Sequence, residues 1–120
     1  ELLELVGLHE RAEQAAGALP FGQQRLLEIA RALAIRPRLL LLDEPAAGLS
    51  VGERDALAVL IRRIRAGGVT VLLVEHAMPF VMSLADHVAV LHQGALLAAG
   101  APAAMQRDPR VVAAYLGEDE

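Results

Sequence analysis

Asp43 and Glu44 follow four consecutive leucines, Leu39 to Leu42, and precede Pro45. Adjacent carboxylates at the end of an apolar strand leave it in different directions. One can then hold a hard cation through its water shell while the other polarises a water molecule. In an open parallel sheet, ligands collect beyond the carboxyl ends of the strands, where this pair falls. Upstream, Leu19-Pro20-Phe21-Gly22-Gln23-Gln24-Arg25 opens an amphipathic segment with a turn containing Pro and Gly. The amides of such a helix start, together with the positive end of its dipole, favour phosphate oxygens. Downstream, His76 follows the apolar run Val69 to Val74 as Asp43 follows its leucines, which places an imidazole at the same sheet edge. Taken singly, each feature is ordinary: a solvated turn, a helix start, a structural histidine. Together at one edge of one sheet they describe a site for a phosphate ligand and a cation.

The elements that must position these groups can be read from period and punctuation. Leu2, Leu3 and Leu5 form a short helical segment that stops near Gly7, and an Ala-rich run over 11–18 ends at Leu19-Pro20. From Gly22, the residues Leu26, Ile29, Ala30 and Leu33 recur at helical spacing, and Pro37 closes the helix. Leu39 to Leu42 is apolar on both faces, which predicts a buried parallel strand. Ser50-Val51-Gly52-Glu53 has the pattern of a capping box for a helix running to about Ala66, ended by Gly67-Gly68. Val69 to Val74 is β-branched and apolar, a second buried strand, so the three elements make a βαβ unit. A helix after His76 carries Met78, Val81, Met82 and Ala85 on one face as core filler. His87 to His92, the Gln93-Gly94 turn and Ala95 to Ala99 predict an antiparallel hairpin, and short helices follow Pro102 and Pro109. Glu118-Asp119-Glu120 reads as a frayed acidic tail.

Composition narrows the function classes. The 120 residues suffice for one small domain or part of one, and 55% of them are hydrophobic, enough to fill a core. No uninterrupted apolar run approaches a membrane-spanning length of roughly 18 residues. The absence of cysteine removes disulfides and thiolate chemistry. A net charge of −4 argues against nucleic acid as a partner; the cluster Arg62, Arg63 and Arg65 reads as the solvated face of its helix. His9, His87 and His92 have no spacing that suggests a zinc site. The chain begins at Glu1 without a Met or a basic-then-apolar leader, and it reads as a piece of a longer protein. All 11 basic residues are arginine, so chemistry that needs a lysine ammonium has to come from elsewhere.

The motifs LPFGQQR, ARALAIRP, LLLLDEPAAGLS and VLLVEHAM, in this order and spacing, resemble the second half of an ATP-binding cassette ATPase, the motor subunit of ABC transporters. The likeness runs from Glu1 to the Ala114-Tyr115-Leu116-Gly117 ending, and it is strongest to subunits that drive branched-chain amino acid uptake. The alternatives are a lipopolysaccharide-export or other ABC ATPase, or a non-catalytic interaction fragment. The resemblance implies an α/β fold: a partial P-loop NTPase-type parallel sheet flanked by helices, with a C-terminal β-hairpin and short helices, and with the central Walker A strand missing. Residues 1–36 would end a helical subdomain, and 37–120 would belong to the ATPase core.

By the same resemblance, Leu19, Pro20, Phe21, Gly22 and Gln23 form the signature motif, facing ATP held by the opposite subunit. Asp43 would act on Mg²⁺ through water, Glu44 would be the general base or the residue that orients the attacking water, Ala47, Gly48, Leu49 and Ser50 would form the D-loop, and His76 would be the switch histidine. The cofactors are ATP and Mg²⁺. The partners are a second ATPase subunit, alike or related, and transmembrane permease subunits, with the motor lying at the inner face of the cell membrane. Two departures stand out. Pro20 and Phe21 replace the usual Ser and Gly, which removes a hydroxyl contact to phosphate, and Ser50 stands where Asp is common. The lysine loop G-x-x-x-x-G-K-[ST] is not among these residues, so the piece alone is expected neither to grip nor to hydrolyse ATP. Loss of the central strand predicts self-association or direct pairing of the two strands that flank the gap.

Overall fold

The computed structural model describes residues 1–115, and the chain divides into two compact units, one over Glu1–Val74 and one from Glu75 onward. Among the described residues no helix is long and apolar enough to cross a membrane.

The first unit is built on a parallel strand pair. Helix α1 (Leu2–Leu5) ends before Gly7, whose φ of 76° suits a residue without a side chain. Two single turns of 3₁₀ helix, His9–Arg11 and Ala16–Ala18, lead into α2 (Phe21–Leu33). The periodic positions Ile29, Ala30 and Leu33 are buried, while Leu26 is half-buried. The helix stops at Leu33, short of Pro37, and Arg36 at φ 52° turns the chain toward β1 (Leu39–Asp43). Helix α3 (Val51–Ala66) crosses to β2 (Thr70–Val74), which pairs parallel with β1 in the register Leu39 with Thr70 through Asp43 with Val74. Both ends of α3 follow their chemistry: the capping box closes at Ser50 and Glu53, and the Gly67 amide donates to the Arg63 and Ile64 carbonyls of the last turn. Leu57, fully buried, anchors the α3 stripe with Leu60, Ile61 and Ile64. Burial of one such leucine contributes about 2 kcal/mol.

The strands depart from expectation in their burial. Leu40 and Leu42 are buried, but Leu39 and Leu41 are 51% and 64% exposed, and on β2 Leu72 and Val74 are both 55% exposed. The pair therefore has one covered face and one open face, because the inward residues meet helices and nothing among the described residues covers the other side. Nor do the strands expected to flank a missing neighbour pair with each other. The sheets are two separate two-stranded ladders, β1 with β2 and β3 with β4.

The second unit contains α4 (Met78–Leu84), the hairpin β3 (Val88–His92) and β4 (Ala95–Gly100), and the short helices α5 (Pro102–Arg107) and α6 (Pro109–Ala114). On α4 the buried residues are Met78, Phe80, Val81 and Leu84. Met82 is only half-buried, and Ala85 lies past the helix end, so the expected Met pair is half right: the helix is too short for its stripe to extend to Ala85. Gln93 and Gly94, at φ 51° and 79°, form the two-residue turn that suits a right-twisted hairpin. A bulge after Val90 lets Leu91 pair with Leu96 while Val90 pairs with Ala98. Tyr115 donates its hydroxyl to the Leu91 carbonyl and meets the His92 ring edge-on at 5.9 Å. Proline opens α5 and α6, as expected. The acidic tail Glu118-Asp119-Glu120 lies outside the described residues.

Asp108 caps α6 through the Arg110 amide at 2.9 Å and pairs with the Arg110 guanidinium at 2.8 and 3.1 Å. The guanidinium, then the amide, lower the Asp108 carboxyl from 3.8 to about 2. A depressed carboxylate stabilises the fold above its unfolded value and loses that contribution as pH falls through the folded one. Carboxyl-detected NMR is expected to show Asp108 titrating near 2, with loss of the α6 cap confined to the window below 3.8. An Asp108 midpoint at the ordinary value excludes the pair in solution.

Candidate functional site

The carboxylate pair stands where the parallel strands end. Asp43 is the last residue of β1, exposed and paired with Val74. Glu44 leaves the strand at φ 47°, a left-handed conformation uncommon for a side-chain-bearing residue. Its amide donates to the Val74 carbonyl at 2.7 Å, and its carbonyl accepts the Ala47 amide at 3.2 Å. The ladder thus extends one hydrogen bond past Asp43 and then breaks at a strained residue, a feature that clusters at functional sites. This break gives the two adjacent carboxylates different backbone geometries, as the sequence predicts. A groove of about 200 Å³ beside β1 is lined by Asp43 and Leu41 together with Arg25 and Glu28 of α2, so the strand end and α2 share one surface.

Residues 19–23 are distributed around the start of α2. Leu19 is buried, and its carbonyl accepts the Gln24 side-chain amide at 2.9 Å. Pro20 occupies the cap position without a side-chain cap, and its carbonyl takes the Gln23 and Gln24 amides at 3.0 Å each. Phe21 is 52% exposed, with the Arg25 guanidinium 5.1 Å above its ring centroid. Gln23 Oε1 and Arg25 Nε are buried at this start without a hydrogen-bond partner.

The loop after Glu44 comes back to the same place. Gly48, at φ 76°, lies against Phe21; a side chain there would meet the ring at 3.0 Å. Gly22 lies against Glu53 so closely that any Cβ would collide with the carboxylate. Ala47 is exposed and Leu49 is buried. Ser50 closes the capping box: its hydroxyl accepts the Glu53 amide at 3.2 Å, and its own amide donates to Glu53 Oε1 at 3.0 Å. The Ser50 amide, then its side chain, hold the Glu53 carboxyl below its ordinary value of 4.5. The structure therefore brings 19–23, 43–44 and 47–50 together within one unit. His76 belongs to the second unit, exposed, with its amide donating to Glu75 Oε1 at 3.3 Å.

Three side chains named in the sequence analysis, but given no part in the site there, belong to it. Gln24 fastens the turn before α2, Arg25 covers Phe21, and Glu53 acts on two segments at once. The capping-box spacing exposed one of Glu53's partners, but nothing in the spacing reveals Gly22. For Mg²⁺, Asp43 offers what the ion requires, an exposed carboxylate at a strand end, since magnesium keeps most of its waters and takes one or two protein carboxylates beside phosphate oxygens. Among the described residues no cluster of three His, Asp or Glu side chains forms a closed metal cage.

Residues 1–47 match the family model for ABC transporters, and residues 95–120 match that for branched-chain amino acid ATP-binding cassette transporters. The fold is the α/β ABC ATPase fold, and the chain is a stretch of an ABC transporter ATP-binding domain. The ADP conformation of an ATP-binding cassette of an ABC transporter superimposes with a TM-score of 0.88 at 34% identity, covering 98% of this chain and 48% of that one. More particularly, the chain is 55% identical over 117 residues to the high-affinity branched-chain amino acid transport ATP-binding protein BraF of Pseudomonas aeruginosa, with 97% of this chain and 46% of that protein covered. The LivG protein of the same description from Escherichia coli is 46% identical over 117 residues, with the same shares covered. The chain thus spans about half the length of the curated relatives it matches.

Ser50 is the simplest point of test for the local geometry. Ser50→Ala removes the hydroxyl that caps α3 and is expected to cost about 1 kcal/mol in urea unfolding, whereas Ser50→Asp, which keeps an acceptor, costs less. Equal losses for the two substitutions contradict the cap.

Proposed function

We propose that this chain works within an ATP-binding subunit that couples MgATP binding and hydrolysis to membrane uptake of branched-chain amino acids. The observation that carries the reading is the end of the β1–β2 ladder. Asp43 closes the strand, and Glu44, in a left-handed conformation, is fixed by its amide to Val74. Support for the substrate class comes from the 95–120 match and from the descriptions of BraF and LivG. Residues 1–36 end the helical subdomain in this reading, and 37–120 belong to the catalytic core.

Phosphoryl transfer needs positioning and charge neutralisation more than covalent chemistry. Asp43 would hold Mg²⁺ through water, and the ion would neutralise charge on the β- and γ-phosphate oxygens. Glu44 takes the proton from the attacking water or orients it, because its backbone is over-determined at the strand end. The start of α2, Leu19 to Gln23, has no side-chain cap and turns the Phe21 and Gly22 amides and a positive dipole end to the phosphate held by a second ATPase subunit. Residues Ala47 to Ser50 carry the state of one subunit to the other, and His76 contacts the γ-phosphate. Permease subunits receive the motion, which places the motor at the cytoplasmic face of the membrane. The lysine that grips phosphate is not among these residues, which contain none, so in this reading they do not turn over ATP by themselves.

In the full-length subunit, Glu44→Gln is expected to retain MgATP binding, measured by calorimetry, while hydrolysis slows by roughly 10² to 10⁴. Unchanged turnover rules out Glu44 as the base. A subunit whose turnover is not stimulated when it is reconstituted with a branched-chain amino acid permease and its binding protein has a different cargo.

A further inference from the structure

We propose, resting on the reading above, that Glu53 is a positioning residue for the phosphate-facing start of α2, acting through the gap left by the missing side chain of Gly22. The first turn of α2 has no side-chain cap, so its amides and dipole lack an intrinsic anionic partner. Glu53, from the first turn of α3, sets its Oε2 where a Cβ of Gly22 would stand. Its other oxygen, Oε1, accepts the Ser50 amide at 3.0 Å. One carboxylate is thereby fastened to the end of the 47–50 loop on one side and seated against the signature backbone on the other.

A second contact runs the opposite way. Gly48, in the 47–50 loop, has φ 76° and no side chain, and the space is filled by the Phe21 ring, to which a Cβ would stand at 3.0 Å. Arg25 covers that ring at 5.1 Å and limits its freedom to swing away. Each segment thus offers a glycine into which the other inserts a side chain: Glu53 into Gly22, Phe21 into Gly48. The two contacts join the segments at two points, so a shift of the 47–50 loop bears directly on the start of α2. A purely local role for Glu53, as the capping partner of Ser50, needs no glycine at position 22. A Cβ at position 22 would displace the Glu53 carboxylate from its seat, and that is what sets the two accounts apart.

The test is a double-mutant cycle in the full-length subunit, with Gly22→Ala, Glu53→Ala and the two combined, read by ATP turnover and by urea unfolding. Glu53→Ala takes away the carboxylate that seats the start of α2, and kcat is expected to fall about tenfold while KM for MgATP changes little. Gly22→Ala meets only the far end of the exposed Glu53 side chain, pushes it aside, and is expected to cost a similar share of kcat. With Glu53 already alanine the added methyl displaces nothing, so the combined variant should be no slower than either single one. Full kcat in Glu53→Ala, or losses that multiply in the combined variant, overturns the proposal. If the unsubstituted subunit itself hydrolyses no ATP, it is the proposed function that fails, and unfolding still decides the contact. Coupling requires the pair to be less destabilising than the sum of its single substitutions, and strict additivity refutes it.

Discussion

The parallel ladder between β1 and β2 is the constraint on which the rest of the first unit depends. Five consecutive residues of each strand stay in register, and one further hydrogen bond, from the Glu44 amide to the Val74 carbonyl, extends past the last pair. Buried strand amides and carbonyls must find partners, and here they find them only if the two strands lie at one height. Where Asp43 and Glu44 stand is therefore a consequence of register. A slip by one residue would turn Leu40 and Leu42 outward and move both carboxylates from the strand end.

Helix α3 makes that register affordable in conformational terms. It links two parallel strands that no short turn could join, and it packs against β2 with Leu57, Leu60, Ile61 and Ile64 buried. Its first turn does more than begin a helix. Glu53 holds Ser50 at the end of the loop after Glu44 and lies against Gly22, so the carboxylate pair, the loop and the start of α2 meet within one unit. The second unit is organised differently, around a bulged hairpin against which α5 and α6 pack. Its end is held by Tyr115 on Leu91 and His92 and by the Asp108 cap.

Much of this was legible in the chain, because the signals were local. Ser50 and Glu53 at capping-box spacing, Gly67-Gly68 after the last apolar turn, Gln93-Gly94 between two apolar runs, and Pro102 and Pro109 at helix starts each act over a few residues, and each element formed where they said. Burial was less legible. Four leucines in a row look the same to a sequence reading whether one face or both are covered, and Leu39 and Leu41 proved exposed. Likewise, helical spacing marked Met82 and Ala85, but α4 ends at Leu84, and Phe80 takes part in the core instead.

By itself the sequence determined the order and kind of the elements, the carboxylate pair after a strand, the helix start rich in amides, and a family likeness strong enough to be recognised from four motifs. Such features depend on residue type and on spacing within one or two turns. Only the tertiary structure decided that Gly22 faces Glu53, that Gly48 receives Phe21, and that Glu44 is held in a left-handed conformation by Val74. Those meetings join residues some 30 positions apart in the chain, and their geometry follows from how α2 and α3 pack around one ladder, which no local pattern encodes.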